Sequence, residues 1–327
     1  MTHSPWRFCV APMMQYTDRH FRYLARIMSQ RARLYTEMIV CEALLRGRPE
    51  RFLAHSDFEQ PVALQLGGCD PKKLSTAAKL GEQAGFCEIN LNLGCPSSRV
   101  KSGRFGVALM GEPQLVADCL TEMSSAVNIP ITIKTRIGIA QNDSYEELFK
   151  FVEAIDGSGT KAIIVHARKA WLDGYSPREN REIPPLRHDL VHQLKHDFPH
   201  LTVVLNGGLS SKSEINHHLQ HVDGVMLGRA AYKTPFLLAT VDNAFFESVT
   251  NNLVDRFDIF HQYIEYARVQ INAGTYPRHI AKPLHYLFRG QPGARQWRRH
   301  LSEYCTRSNA GIDSLQSALK WVERTTP

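Results

Sequence analysis

Residues 202–229 read TVVLNGGLSSKSEINHHLQHVDGVMLGR. A β-branched run, TVVLN, ends in two glycines. Ser211 then opens an amphipathic stretch over 212–220, and a second apolar run, GVML, ends in Gly228 and Arg229. A strand, a capped helix and a second strand in so short a span make a βα repeat, which implies parallel strands joined by a crossover. Both runs are apolar along their length, as strands covered on both faces should be.

The same alternation recurs upstream. Strand-like runs are FCVAP (8–12), LYTEMIV (34–40), PVALQLG (61–67), EINLNLG (88–94), ITIKTRI (131–137) and AIIVHAR (162–168), followed by the two above. Between them, Asp70-Pro71 opens a helix over 71–85, and Glu112-Pro113 opens one over 113–127. Eight such units in about 240 residues predict a (β/α)8 TIM barrel. A doubly wound sheet is the second choice, since it usually needs fewer strands and the first turn carries no G-x-G-x-x-G. After Tyr232 the strand pattern stops, and the rest reads as helices broken at NAGTYPRH and RGQPGAR. The expected division is a barrel domain over 1–243 and a smaller all-helical domain over 244–327. The 327 residues are enough for both.

The helical part carries the charge. Residues 251–327 hold 11 Lys/Arg against 6 Asp/Glu, within a chain of net charge +7, and 278–300 hold six basic residues and no acidic one. A basic region on a balanced body points to a polyanion, most simply nucleic acid. No apolar run reaches the length of a membrane span, and MTHSPWRFCVAPMM lacks a signal-peptide core, so a cytoplasmic protein is expected. Seven scattered cysteines without a C-x-x-C pair suggest reduced thiols, with neither a disulfide framework nor a zinc site.

Barrel chemistry collects at the carboxyl ends of strands, and six of the eight runs end in polar residues. They supply Gln65, Asn90 and Asn92, Lys134 and Arg136, His166 and Arg168, Asn206-Gly207-Gly208, and Gly228-Arg229. The last two sets match the phosphate site that barrels build after strands seven and eight. There glycines admit backbone N–H groups close to phosphate oxygens and an arginine adds a charged fork. A phosphate there leaves the rest of a ligand across the mouth, facing the amide of Gln65 and the cation of Lys134. Flavin mononucleotide fits that description. The fourth run leads into Gly94-Cys95-Pro96, a thiol at the point where a buried strand reaches solvent. A structural cysteine would prefer the strand interior.

The segments VAPMMQYTDRHFR, YTEM, VALQLGG, INLNLGCPS, KTRIG, IVHARKAWLDGYSPRENREIPPL, LNGG and VMLGR resemble, in order and spacing, those of the tRNA-dihydrouridine synthases. The segments SPRENREIPPL and GQPGARQWRRHLSE resemble the A subfamily, which acts on uridines 20 and 20a of the tRNA D-loop. The resemblance implies FMN as cofactor, NADPH as reductant and tRNA as partner. It also implies that Pro12, Met13 and Met14 line the flavin, and that Gln65, Lys134 and His166 contact its ring and ribityl region. Asn206, Gly207, Gly208, Gly228 and Arg229 would hold its phosphate, and Asn92 would touch the target nucleotide. Arg178, Arg181, Arg295 and Arg298 would orient the tRNA, and Cys95 would be the general acid.

Reducing the C5=C6 bond of uracil needs a hydride at C6, from the flavin, and a proton at C5. An ordinary thiol, with a reference pKa of about 8.5, is still protonated at neutral pH and can give that proton. No base-and-orienter pattern surrounds Cys95, so it is expected to act as an acid and not as a nucleophile. Gly94, Ser97, Ser98, Ser102, Gly103 and Gly106 suggest a segment able to close over a uridine.

Three other readings fit parts of the sequence: a flavin barrel acting on a free pyrimidine or a small enone, a tRNA-binding protein without chemistry, and a metalloenzyme. The last is prompted by His188, His192 and His196 at helical spacing, on a helix away from the expected mouth. No metal is expected, and a monomer is the simplest assembly.

Overall fold

The computed structural model describes residues 4–97, 103–139, 144–172, 174–246 and 255–322. It contains two compact units, Met1–Met14 with Arg33–Gly228, and Gln15–Ala32 with Arg229–Pro327.

The first unit is a closed parallel barrel. Its strands are Phe8–Val10, Arg33–Tyr35, Val62–Gly67, Glu88–Asn92, Ile131–Arg136, Thr160–His166, Thr202–Asn206 and Gly224–Leu227. Each pairs with the next, and the ring closes where Phe8, Cys9 and Val10 pair with Val225, Met226 and Leu227. This is the (β/α)8 architecture expected from the repeating runs. The run at 34–40 divides, however, leaving Arg33–Tyr35 in the ring and a separate two-residue strand, Ile39–Val40. The cause is Thr36. Its hydroxyl oxygen accepts the Gln65 N–H at 3.0 Å and donates to the Glu37 carbonyl at 2.8 Å, so a side chain interrupts the backbone ladder.

The barrel interior has two sectors. Cys9, Ala11, Tyr35, Ala63, Ala162, Ile164, Val204 and Met226 form an apolar cluster closed by Trp6. Glu88, Asn90, Asn92 and Thr132 belong instead to one buried hydrogen-bonded set with Gln65. The alternate residues Ile89, Leu91, Ile131 and Ile133 are buried and apolar. The fourth and fifth strands therefore alternate by face rather than being apolar throughout.

Local signals set the helix starts. The Asp70 carboxylate accepts the Lys73 N–H ahead of Pro71–Gln83, and Ser211 with Glu214 forms a capping box on Lys212–His218. Glu112 precedes Pro113–Ala126 without capping it. Its carboxylate takes the Arg104 guanidinium at 3.2 Å instead.

The second unit is helical, with Arg19–Met28, Arg256–Asn272 and Ala294–Tyr304 as its longest helices. Asp18 caps the first of them, accepting the Phe21 N–H at 2.9 Å. Tyr23 stacks on Tyr266 at 3.9 Å, and the Tyr266 hydroxyl meets His20 Nδ1 at 2.7 Å. Phe260 and Phe288 pack edge-on to the buried Trp297, whose indole N–H donates to the Leu284 carbonyl at 2.9 Å. Among the described residues no helix is long and apolar enough to cross a membrane.

Gly224 begins the strand that closes the ring. A Cβ there would sit 2.0 Å from the Trp6 carbonyl oxygen and 2.8 Å from its carbon, both backbone atoms that cannot turn aside. Gly224→Ala should cost ~1–3 kcal/mol, seen as a lower midpoint in thermal or urea unfolding.

Candidate active site

Strand register brings the polar strand ends together. Gln65 pairs with Asn90, Asn92 with Lys134, Arg136 with His166, His166 with Asn206, and Asn206 with Met226. The carboxyl end of the barrel thus carries Gln65, Asn92, Lys134, His166 and Asn206 on consecutive strands from the third to the seventh.

The Cys95 turn is held from two directions. Asn92 Oδ1 accepts the backbone N–H of Gly94 at 3.2 Å and of Cys95 at 3.0 Å, a local Asx closure at the strand end. Arg136 reaches from the neighbouring strand. Its Nε donates to the Gly94 carbonyl at 2.9 Å, and its Nη1 donates to the carbonyls of Lys169 at 2.9 Å and Asn180 at 3.0 Å. One guanidinium therefore ties the Gly94-Cys95 corner to the segment after the sixth strand. Cys95 itself is half-buried, and its thiol donates to the Ser97 hydroxyl at 3.6 Å. Ser98 and Ser102, expected in a closing segment, lie outside the described residues.

The mouth is cationic. Burial, with Arg136 nearby, pulls the Lys134 ammonium down to about 7. Burial likewise pulls Arg136 to about 10. The His166 imidazole is pushed well below its usual range by burial, then by Arg136 and Lys134. Among the described residues, no oxygen bonds the Lys134 ammonium and no group bonds the His166 ring.

The glycines after the seventh strand are required. Gly207 and Gly208 have φ of +119° and +77°, in the region that favours glycine. A Cβ on Gly207 would lie 2.8 Å from the His166 ring, and one on Gly208 would lie 2.5 Å from Leu186. The Asn206 amide donates to the Met226 carbonyl at 2.7 Å, tying the last two strands. Met13 packs on the apolar cluster of the interior, Pro12 is half-buried and Met14 is 55% exposed.

The other expected residues lie outside the eight strands. Arg178 and Arg181 are exposed on the turn around the buried Asn180, and Arg178 pairs with Glu182 at 3.3 Å. Gly228 ends the first unit. Arg229, Arg295 and Arg298 belong to the second unit: Arg229 opens Arg229–Lys233, and the other two lie one turn apart on Ala294–Tyr304, exposed and half-exposed.

The histidine row does not converge. His188 Nε2 meets the Gly207 carbonyl at 2.8 Å, His192 meets His218 at 3.0 Å, and the exposed His196 pairs with Asp197. Among the described residues no group of His, Cys, Asp and Glu could hold a metal ion. All seven thiols are free.

Residues not singled out by pattern carry much of this geometry. Asn180 accepts the Trp171 N–H at 2.7 Å and donates to the Trp171 carbonyl at 3.0 Å. Glu88 and Thr132 underlie the amides of Asn90, Gln65 and Asn92. The only sequence signal for the latter pair is a polar residue at an inward position of an otherwise regular strand.

A closed parallel barrel whose carboxyl end gathers an amide, a lysine and a histidine without a bonding partner among the described residues, a Gly-Gly turn and a tethered thiol defines a (β/α)8 enzyme with its site at that end. The chain matches the family described as Dihydrouridine synthase (Dus) over residues 9–323 and belongs to it. It is 51% identical over 320 residues to the tRNA-dihydrouridine(20/20a) synthase of Vibrio vulnificus (strain CMCP6), covering 98% of this chain and 97% of the relative. It is 51% identical over 321 residues to the protein of the same name from Escherichia coli (strain K12), covering 98% and 92%. With that of Vibrio cholerae the identity is 49% over 320 residues, covering 98% and 97%.

Arg136→Lys keeps the charge and removes the fork, so one ammonium must replace bonds to three carbonyls on two segments. We expect a loss of ~1–3 kcal/mol in urea unfolding and faster proteolytic cleavage within 168–187.

Proposed function

We propose that this chain is an FMN-dependent tRNA-dihydrouridine synthase. It reduces the C5=C6 bond of uridines 20 and 20a in the tRNA D-loop, with NADPH as electron source, in the cytoplasm. The observation that carries this reading is the thiol corner at Cys95, held by Asn92 and Arg136 beside a lysine and a histidine that have no protein partner among the described residues.

The donor set fits a flavin. Lys134 is a cation that loses stability by burial and regains it beside an electron-rich ring edge. Gln65 uses one N–H on Asn90 and one lone pair on Asn92, leaving one donor and one acceptor for a ring that offers both. The Gly207-Gly208 turn lies where side chains would collide with His166 and Leu186, which suits the close approach of a phosphate end. Pro12, Met13 and Met14 would line the ring, and Asn206, Gly228 and Arg229 would complete the phosphate end. When bound, FMN supplies the hydride that reduces the uracil ring.

The remaining roles belong to the chain. Cys95 holds a proton on Sγ and gives it to C5 of the base. Asn92 fixes the turn that carries this thiol and contacts the target nucleotide. Residues 1–243 would carry the chemistry and 244–327 the tRNA body, with Arg178, Arg181, Arg295 and Arg298 on phosphates. Such contacts release counterions, so affinity should fall steeply with salt.

Cys95→Ala should keep its yellow cofactor and its reduction by NADPH, yet form dihydrouridine ~10²–10⁴-fold more slowly. Wild-type turnover would remove the thiol from the mechanism. Arg295→Glu with Arg298→Glu should weaken tRNA binding by at least about tenfold and flatten the salt dependence, measured by filter binding. Unchanged affinity would take the helical region out of tRNA recognition.

A further inference from the structure

A single hydrogen-bonded line runs up the inside of the barrel to the Cys95 turn, and it begins at a carboxylate far from the mouth. Glu88 is the first residue of the fourth strand and is fully buried. Its Oε2 accepts from Trp6 Nε1 at 2.8 Å and from Arg33 Nη1 at 2.8 Å. Its Oε1 accepts from the Tyr35 hydroxyl at 2.8 Å and from the Thr132 hydroxyl at 2.5 Å. Indole and guanidinium N–H groups can only donate, so Oε2 accepts, and the ion pair with Arg33 makes Oε1, which faces the two hydroxyls, an acceptor as well.

That fact sets the direction of the links that follow, and the backbone N–H groups of Gly94 and Cys95 at the far end, which can only donate, require the same direction. The one proton of the Thr132 hydroxyl goes to Glu88, so its oxygen is left to accept, and Asn90 Nδ2 donates into it at 2.8 Å. Asn90 must then present Oδ1 to Gln65, whose Nε2 donates at 2.8 Å. Gln65 Oε1 consequently faces Asn92 and accepts from Nδ2 at 2.9 Å. Asn92 Oδ1 is left for the backbone N–H groups of Gly94 and Cys95. An isolated carboxamide can turn by 180° and exchange its oxygen and nitrogen with little change of shape. Here a turn at any one position would set donor against donor on one side and acceptor against acceptor on the other.

We propose that Glu88, acting through Thr132, is a positioning residue that fixes the donor and acceptor polarity of Asn90, Gln65 and Asn92. It thereby determines both how the Cys95 turn is held and which hydrogen-bonding face Gln65 offers to the bound ring. The inference rests on the function proposed above. Glu88 touches neither the base nor the cofactor, since four protein donors occupy its two oxygens.

The test uses holoenzyme carrying Thr132→Val, which keeps the shape and removes the hydroxyl while leaving Trp6, Arg33 and Tyr35 on Glu88. Thr132→Ser is the rescue. Tyr35→Phe removes a different donor from the same carboxylate without entering the amide line, and serves as the control for simple loss of stability. Thr132→Val should lower kcat for tRNA reduction by about tenfold to hundredfold with KM little changed. It should also shift the visible absorption bands of the bound cofactor and the side-chain amide NMR signals of Gln65 and Asn92. Thr132→Ser should restore all three, and Tyr35→Phe should lower only the unfolding midpoint. The proposal is overturned if Thr132→Val keeps wild-type kcat, spectrum and amide signals, or if Thr132→Ser is as impaired as Thr132→Val. Wild-type protein inactive on tRNA would instead remove the proposed function, and the amide signals would still decide the polarity of the line.

Discussion

Placing a carboxylate inside a parallel barrel is costly unless every lone pair is met, because an unpaired charge there loses several kcal/mol of hydration. Glu88 meets this condition with one charged donor, Arg33, and three neutral ones, Trp6, Tyr35 and Thr132. The arrangement holds together residues from before the first strand, the second strand, the fourth and the fifth. It also divides the interior, with the apolar cluster on one side and the amides on the other. Taking away one partner of such a pair typically costs ~3–5 kcal/mol, more than replacing both by a well-packed apolar set.

The regular strand pairing ends just before the Cys95 turn. Strand Glu88–Asn92 is fixed on both sides by parallel neighbours, and Asn92 carries that order one step further by capping the turn with its own carboxamide. Arg136 does the same from the adjacent strand and reaches across to the carbonyls of Lys169 and Asn180. The thiol therefore sits on a short turn with two supports. A site built this way takes its precision from strands and its access from loops.

Charge is sorted along the barrel axis. The carboxylate is at the amino end with its guanidinium, and at the carboxyl end Lys134, Arg136 and His166 crowd together. Burial, and after it nearby positive charge, pushes each toward its neutral form. Such a cluster is poorly satisfied by the protein alone and gains most from an electron-rich ligand. This is the electrostatic ground for proposing a flavin and a uracil ring there.

Much of this was legible from residue order. Eight apolar runs separated by capped amphipathic stretches specify a barrel, because backbone pairing and face coverage are local, repeating requirements. The Gly-Gly after TVVLN and the thiol at a Gly-Cys-Pro corner stand out for the same reason, as residue types that local packing does not call for. Thr36 breaking a strand, Glu112 leaving its helix for Arg104, and the line from Glu88 to Asn92 were not legible. Each depends on which side chain from a distant segment arrives within about 3 Å, and hydrogen-bond direction is decided only when both partners are in place. Chain order determined the barrel and the chemistry available at its rim. Three-dimensional packing decided which way each amide points, because their hydroxyl and amide partners meet only when the third, fourth and fifth strands lie side by side.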